Sequence, residues 1–383
     1  MNAGHETRAE AVAEAMREAA ADMGAPGIAW AVASGEGKDR QVTAGAAGGI
    51  AVDALMRIAS VTKPIASAAT LALVDDGVLG LDDPVERWVP EWGSRRVLAR
   101  RHGDLAETVP ASRPTTVRDL LMLGFGLGWD MTATEDDPLM QATVAAGITS
   151  TWQPPEIPPS QWAHQAAALP MAHQPGEGFM YHLSFDALTV VVEAVTGHGF
   201  DELLCNRILG PLGMKETAYT VTEASLGRVP ANYFPDPSGA MFEVTPPADP
   251  SLLRRPEFCS ASTGLASTVG DLIRFGQMLL DGGLGPDGRV LSEEAVQLMS
   301  TDAIPPAARE MAGEFLEPGY GWGVGACVDD QGRFGWHGGT GTSLWVDPAG
   351  GVAAVVLTRQ GMGSPAGAET IDRFWEAVRA AAW

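Results

Sequence analysis

Ser60 and Lys63 are the residues of this chain whose types and spacing most directly suggest chemistry. They lie three positions apart in "RIASVTKPIASAATLALVDDG" (57–77), so on a helix they share one face, about one turn apart. A serine hydroxyl becomes a competent nucleophile when a neighbouring base takes its proton. Lysine can be that base only when neutral, which near pH 7 requires its pKa to fall from about 10.4 to about 7, at a cost on the order of 4 to 5 kcal/mol. Burial in an apolar helix supplies such a shift, because desolvation penalises the charged form. Arginine could not take the role, since it keeps its proton in proteins. Residue usage makes the lysine conspicuous: Lys38, Lys63 and Lys215 are the only lysines, and 22 arginines supply the other basic charges. Taken alone, the pair is better read as a helix N-cap followed by a surface lysine in the first turn, and the catalytic reading needs further support.

The elements that must position this pair can be read around it. A helix is expected over 60–76, stopped by Gly77, and Pro64 fits it only in the first turn, which puts Ser60 at or just inside the N-terminus. There the helix dipole favours developing negative charge and the serine N–H is free to meet a substrate oxygen. The helix is small or apolar on nearly every side and should be central. Upstream, 7–23 reads as an amphipathic helix with Thr7 and Glu10 at capping-box spacing, and "GIAWAVAS" and "RQVTAGAAGG" read as strands joined through Gly35–Gly37. From 85 to 255 the chain turns to proline-punctuated loops and helices, such as "ATEDDPLMQATVAAG" and "SFDALTVVVEAVTG", with "TWQPPEIPPS" (151–160) a loop. Strand signals return in "YGWGVGACV", "RFGWHGG", "TSLWVDP" and "GVAAVVLTRQ", before a closing helix over 367–381 with Ile371, Phe374, Trp375 and Val378 on one face. The expected fold is α+β. Residues 1–84 and 256–383 form one domain with an antiparallel sheet flanked by helices, and 85–255 form a mostly helical insertion.

Bulk composition narrows the partners. A net charge of −23 disfavours nucleic acid and anionic membrane surfaces. No apolar run approaches the length of a membrane span, and the charged first twenty residues lack the apolar core of a signal peptide, so the cytoplasm is the expected compartment. Cys205, Cys259 and Cys327 lack metal or redox spacing and are expected to be buried free thiols. The histidines show no HExxH or other ligand spacing, so no metal or cofactor is expected; His182, beside Tyr181, could border a site. Of Trp88, Trp92, Trp129, Trp152 and Trp162, most should be core and one or two could line an acyl-binding cleft. No G-x-S-x-G elbow of the α/β-hydrolase kind is present.

Four segments, in order along most of the chain, resemble the serine β-lactamase and penicillin-binding-protein superfamily, especially the class C-like branch that includes family VIII carboxylesterases. They are "RIASVTKPIASAATLALVDDGVLGLDDPVERWVPEW", "HQPGEGFMYHLSFDALTVVVEAVTGHGFDELLCNRILGPLGMKET", "STGLASTVGDLIRFGQMLLDGG" and "WHGGTGTSLWVDPAG". The resemblance implies a β-lactamase-like fold with Ser60 as acylated nucleophile, Lys63 as its partner base and Tyr181, opening the family's Tyr-x-Asn motif, sharing proton transfer. It also aligns "HGGTGT" with Lys-Thr-Gly-Ser-Thr-Gly, which puts His337 in place of the motif lysine, Gly338 and Gly339 beside the substrate, and the Thr340 N–H with that of Ser60 in an oxyanion hole.

Three departures bear on specificity. Leu183 stands at the motif asparagine, His337 removes a permanent cation although a protonated histidine could partly replace it, and Leu123 and Phe125 are apolar where relatives carry polar residues. The expected activity is therefore a serine carboxylesterase acting on small, largely apolar esters, with Leu183, Phe125, His337, Gly338 and Gly339 about the substrate. An acyltransferase or amidase of the same fold is the alternative, a β-lactamase or D-Ala peptidase less so, and a substrate-binding relative without turnover is the non-enzyme reading.

Overall fold

The strand-forming stretches near the two chain ends join in one antiparallel sheet in the computed structural model, which describes residues 3–134, 136–363 and 369–383. The first stretch supplies β1 (Ile28–Ser34) and β2 (Gln41–Ala47). The second supplies β3 (Tyr320–Trp322), β4 (Cys327–Asp329), β5 (Phe334–Gly338), β6 (Thr342–Asp347) and β7 (Val352–Thr358). Their order is β3-β4-β5-β6-β7-β1-β2, so the β1–β7 pairing, with Trp30 opposite Val356, ties the two ends together. The fold is α+β, an antiparallel sheet flanked by helices, as expected.

Five helices carry or support the site: α1 (Ala3–Asp22), α2 (Thr62–Asp75), α3 (Leu183–Thr196), α4 (Val269–Leu280) and α5 (Glu369–Ala380). Every residue of β1 is buried, because helices cover both faces of the sheet. Ile28, Trp30 and Val32 pack with Val12 and Met16 of α1 and with Phe374 and Val378 of α5. Ala29, Ala31 and Ala33 point the other way, into a larger core holding Ala66 and Ala69 of α2 and Leu272 and Phe275 of α4. That core continues into the segment between the chain ends through Phe125, Trp162 and Phe185, so α2 is enclosed on all sides as its composition required. Besides helices, the intervening segment carries two-stranded ribbons, including Arg96–Leu98 with Thr108–Pro110 and Asn232–Pro235 with Met241–Thr245. Among the described residues no helix is long and apolar enough to cross a membrane.

Several local expectations are corrected. The opening helix runs through Thr7 and begins by Ala3, because the buried His5 ring meets Trp383 and its Nε2 lies 2.7 Å from Thr43 Oγ1, which adds a turn before the apparent cap. Cys205 is exposed; Cys259 and Cys327 are buried, and none of the three forms a disulfide. Residues 367 and 368 of the expected closing helix lie outside the described residues. The run "YGWGVGACV" is two strands, β3 and β4, with a turn between them at Gly325. That turn touches the site's main helix: Ser67 Oγ donates to Gly325 O at 3.2 Å, and Gly325 has φ +88°. A Cβ there would lie 1.8 Å from Ser67 Oγ. Gly325→Ala therefore combines a disfavoured backbone with a clash against α2 and should lower the unfolding free energy by about 1 to 3 kcal/mol. Urea denaturation checks this; an unchanged midpoint at unchanged slope would show that the turn does not press on α2.

Candidate active site

Ala59–Val61 form a short 3₁₀ turn that leads into α2 at Thr62, so Ser60 sits one step ahead of the α-helix proper and Pro64 falls in its first turn. Ala59 adopts φ +41°, a conformation costing a non-glycine residue on the order of 1 to 3 kcal/mol. The loop after β5 and the start of β6 hold the turn in place. Thr340 Oγ1 donates to Arg57 O at 2.6 Å and Thr342 Oγ1 donates to Ile58 O at 2.9 Å. A Cβ on Gly338 would sit 2.3 Å from Ile58 O, so only glycine lets the strand lie so close to the nucleophile turn. Gly338 thus serves backbone packing against the nucleophile turn.

Lys63 is fully buried, and its Nζ lies 3.0 Å from Ser60 Oγ. Nζ donates to Ser262 O at 2.9 Å and lies 3.3 Å from His182 Nδ1. Burial pulls the amine down to about 7, and the more distant Asp186 charge opposes that shift. His182 is also buried, and desolvation together with the Lys63 charge holds it well below the usual imidazole range, so it is neutral. Its Nδ1 can then accept from Lys63 while Nε2–H donates to Ser262 Oγ at 3.0 Å. Ser262 Oγ passes the chain on to Asp186 Oδ1 at 2.9 Å, where Ser260 also donates, and Ser150 donates to the other oxygen at 2.7 Å. Burial pushes the Asp186 carboxyl up against the pull of these three hydroxyls. Lysine and carboxylate are thus linked through neutral groups, with no direct ion pair to lock the amine in its charged form.

Tyr181 stands on the other side of the amine, which lies 4.6 Å from the centre of its ring. The Trp336 indole N–H donates to Tyr181 Oη at 2.6 Å, and Phe315 stacks on the ring at 4.0 Å between centroids. Burial raises the phenol pKa, so Tyr181 keeps its proton unless it passes one on. Reciprocal backbone bonds between Trp129 and Tyr181, at 2.8 and 3.1 Å, fix the approach to α3. His182 takes φ +85° just before that helix, and Trp129 stacks on its ring at 5.0 Å with planes 4° apart. The second strained non-glycine residue of the site is thereby held from both sides.

Above Ser60 opens a cleft of about 390 Å³. Trp129, Trp152, Phe234, Phe315, Trp336 and Trp345 line it, Gly339 borders it, and Glu314, Glu317 and Asp372 bring negative charge. No lysine or arginine side chain is among the described residues that line it. Two residues expected beside the substrate are elsewhere. Leu183 is fully buried at the start of α3, and Phe125 is fully buried against Trp92 and Trp162, with its N–H bound by Ser184 Oγ at 3.1 Å. Both belong to the core and not to the cleft wall. His337 does border the cleft, but burial pushes its ring down to about 4, so it is neutral near pH 7 and cannot act as the expected substitute cation. Among the described residues no group of three or more His, Cys, Asp or Glu side chains is placed to hold a metal.

Sequence reasoning missed Asp186, Ser150, Ser260, Ser262 and Trp336, and treated His182 only as a neighbour. Asp186 did leave a signal, an acid inside the otherwise apolar run "SFDALTVVV", where an unpartnered carboxylate would not be tolerated. The serines left none, because they reach Asp186 only when segments distant in the chain fold together.

The profile of the Beta-lactamase family matches residues 12–378. Protein Rv1367c of Mycobacterium tuberculosis is 32% identical over 324 residues, covering 80% of this chain and 77% of its own length. Esterase EstB of Burkholderia gladioli is 29% identical over 350 residues, covering 82% and 80%. Among solved structures, EstCE1, a hydrolase with promiscuous acyltransferase activity, superposes with a TM-score of 0.78 over 98% of this chain and 99% of its own at 21% identity.

The depressed Lys63 pKa makes a prediction about stability. From about 7, the folded value, up to the ordinary lysine value of 10.5, the unfolded chain binds a proton that the folded chain does not. Stability therefore rises with pH across that window. Lys63→Met lacks this contribution, so the stability of wild type relative to the variant should climb from about pH 7 to about pH 10, as urea unfolding at several pH values will show. A flat difference would mean that Lys63 titrates alike in both states.

Proposed function

The chain belongs to the beta-lactamase family, and within that family we propose that it is a serine carboxylesterase for small, largely apolar esters, working through a covalent acyl-enzyme on Ser60. The observation that carries this reading is a fully buried lysine amine 3.0 Å from a serine hydroxyl at an aromatic cleft without lining cations, where burial pulls the amine down to about 7. Ser60 Oγ attacks the ester carbonyl as Lys63 Nζ takes its proton. The developing oxyanion is met by the N–H groups of Ser60 and Thr340, and removing one such donor costs about 10²- to 10³-fold in rate. Tyr181, whose ring lies beside the amine and whose oxygen is steadied by the Trp336 N–H, gives its proton to the leaving alcohol and is refilled from Lys63. Water then enters, the same groups remove its proton, and the acid leaves.

The aromatic wall accommodates an apolar acyl or alkoxy group, and Glu314, Glu317 and Asp372 disfavour anionic substrates such as β-lactams. The esterase among the relatives supports the hydrolase reading. Transfer to an alcohol acceptor would use the same acyl-enzyme. The free thiols agree with a reducing cytoplasm as the working compartment.

Intact-mass spectrometry after a fluorophosphonate should show one adduct on the wild type and none on Ser60→Ala. Lys63→Arg keeps a positive charge but cannot accept a proton, so it should label and turn over p-nitrophenyl acetate on the order of 10² to 10⁴ more slowly. An arginine variant that kept wild-type turnover would refute the role of Lys63. An unlabelled wild type would favour a binding protein, and a chromogenic cephalosporin cleaved faster than every simple ester would reverse the substrate assignment.

A further inference from the structure

A neutral lysine amine carries two N–H donors and one lone pair, and it is a base toward Ser60 only when the lone pair is the face turned to that hydroxyl. Three groups surround Lys63 Nζ: Ser60 Oγ at 3.0 Å, Ser262 O at 2.9 Å and His182 Nδ1 at 3.3 Å. The carbonyl can only accept, so it takes one N–H. The imidazole decides the rest. With Nδ1 bare, the ring takes the second N–H and the lone pair is left for the Ser60 O–H. With the proton on Nδ1, the ring donates to the lone pair, and the amine offers Ser60 only an N–H. The two neutral tautomers of His182 thus correspond to a base that faces its nucleophile and a base that is capped.

A carboxylate farther along the network chooses between them. Ser262 Oγ lies 3.0 Å from His182 Nε2 and 2.9 Å from Asp186 Oδ1, and it has one proton to give. Burial pushes Asp186 up to about 6, so above that pH the carboxylate is ionised and only accepts. A hydrogen bond to a charged acceptor is stronger than one to a neutral ring, so the Ser262 proton goes to Asp186. Ser260 also donates to Asp186, so it has no proton left for Ser262. The Ser262 oxygen therefore presents a lone pair to Nε2, and Nε2 must carry the His182 proton. The ring is held in this place by Trp129, which stacks on it at 5.0 Å, and His182, Ser262, Ser260 and Asp186 are all buried.

We propose that Asp186 and His182 are positioning residues for the reaction at Ser60: acting through Ser262, the carboxylate holds His182 in the Nε2–H tautomer, and that tautomer turns the Lys63 lone pair toward the serine hydroxyl. The inference rests on the serine-hydrolase reading for its use, but the tautomer belongs to the resting protein and can be read without turnover. The titratable groups facing the amine are Tyr181 and His182, just ahead of α3, and Asp186 on α3, whose charge opposes the effect of burial on Lys63. The two actions of Asp186 separate in a pH profile. Its charge sets the midpoint; the tautomer sets the plateau reached when the amine is wholly neutral.

Asp186→Asn keeps the shape and removes the charge, and its amide can donate to the serines and free the Ser262 proton for Nε2. In the full chain with isotopically labelled histidine, nitrogen chemical shifts above pH 7 distinguish a protonated from a bare ring nitrogen, and His182→Asn shows which of the seven histidine patterns belongs to His182. Wild type should show Nε2–H, and Asp186→Asn should move His182 toward Nδ1–H. The high-pH plateau of fluorophosphonate inactivation should fall about tenfold or more in the same variant, and its midpoint should drop below that of wild type because a charge that raises the Lys63 pKa is gone. Ser262→Ala, which leaves the Asp186 charge in place, should also release the tautomer and lower the plateau, and it decides the matter if Asp186→Asn does not fold. An Nδ1–H tautomer in wild type would overturn the proposal. So would a plateau that falls with the tautomer unchanged, which is a merely structural defect, a tautomer that changes with the plateau intact, or a midpoint that moves while plateau and tautomer both stay. A wild type that fluorophosphonate does not label would refute the serine-hydrolase reading, while the histidine signals of the variants would still decide whether Asp186 sets the tautomer.

Discussion

The structure turns on a buried lysine amine that has no carboxylate in contact. Lys63 is completely buried, and the nearest carboxylate in its network, Asp186, reaches it only through His182 and Ser262. A directly paired carboxylate would stabilise the charged amine and remove the base; no carboxylate at all would leave the charged state unreachable when the proton arrives. The intermediate arrangement keeps both protonation states within reach near pH 7. It also explains why the neighbouring groups are neutral hydrogen-bonding ones: a histidine that burial holds unprotonated, three serines and a backbone carbonyl.

Much of the fold can be understood as what this burial requires. Helix α2 must be enclosed on every side, so the core holds it from the sheet, from α4 and from the segment that supplies Tyr181. The nucleophile must nonetheless reach the cleft, and the short turn ahead of α2, with its positive φ at Ala59, lifts Ser60 out of the helix while β5 and β6 pin the turn through Thr340 and Thr342. Strain at Ala59 and His182 is tolerated because each is held by neighbours on more than one element. The local rules fail at these two positions, and both border the proposed chemistry.

How much of this was legible in the sequence depended on how local the signal was. The sheet strands and the central helix follow from alternation, from small apolar composition and from Pro64 and Gly77, and the structure places them close to their expected bounds. Ser60 and Lys63 stood out because a single lysine in an apolar helix is costly without a purpose. The departures arose where a contact is non-local. His5 reaches across to Thr43 and extends α1, and Gly325 breaks an apparent strand in order to press on α2. Motif position also misled for Leu183: the chain bends sharply at His182, so that His182 takes the place beside the amine and Leu183 turns into the core. Phe125 likewise packs into the core against Trp92 and Trp162, and His337 is neutral because of burial that no motif records.

All of the proposed chemistry depends on the protonation of one amine. The most direct measurement is the pH dependence of the second-order rate at which a fluorophosphonate inactivates Ser60, followed by intact mass. The reaction needs the neutral amine, so the rate should rise with a midpoint at about 7, the value to which burial brings Lys63, and level off above it. A rate that stays low until the pH approaches about 10.4, where an ordinary lysine loses its proton, would contradict the central claim.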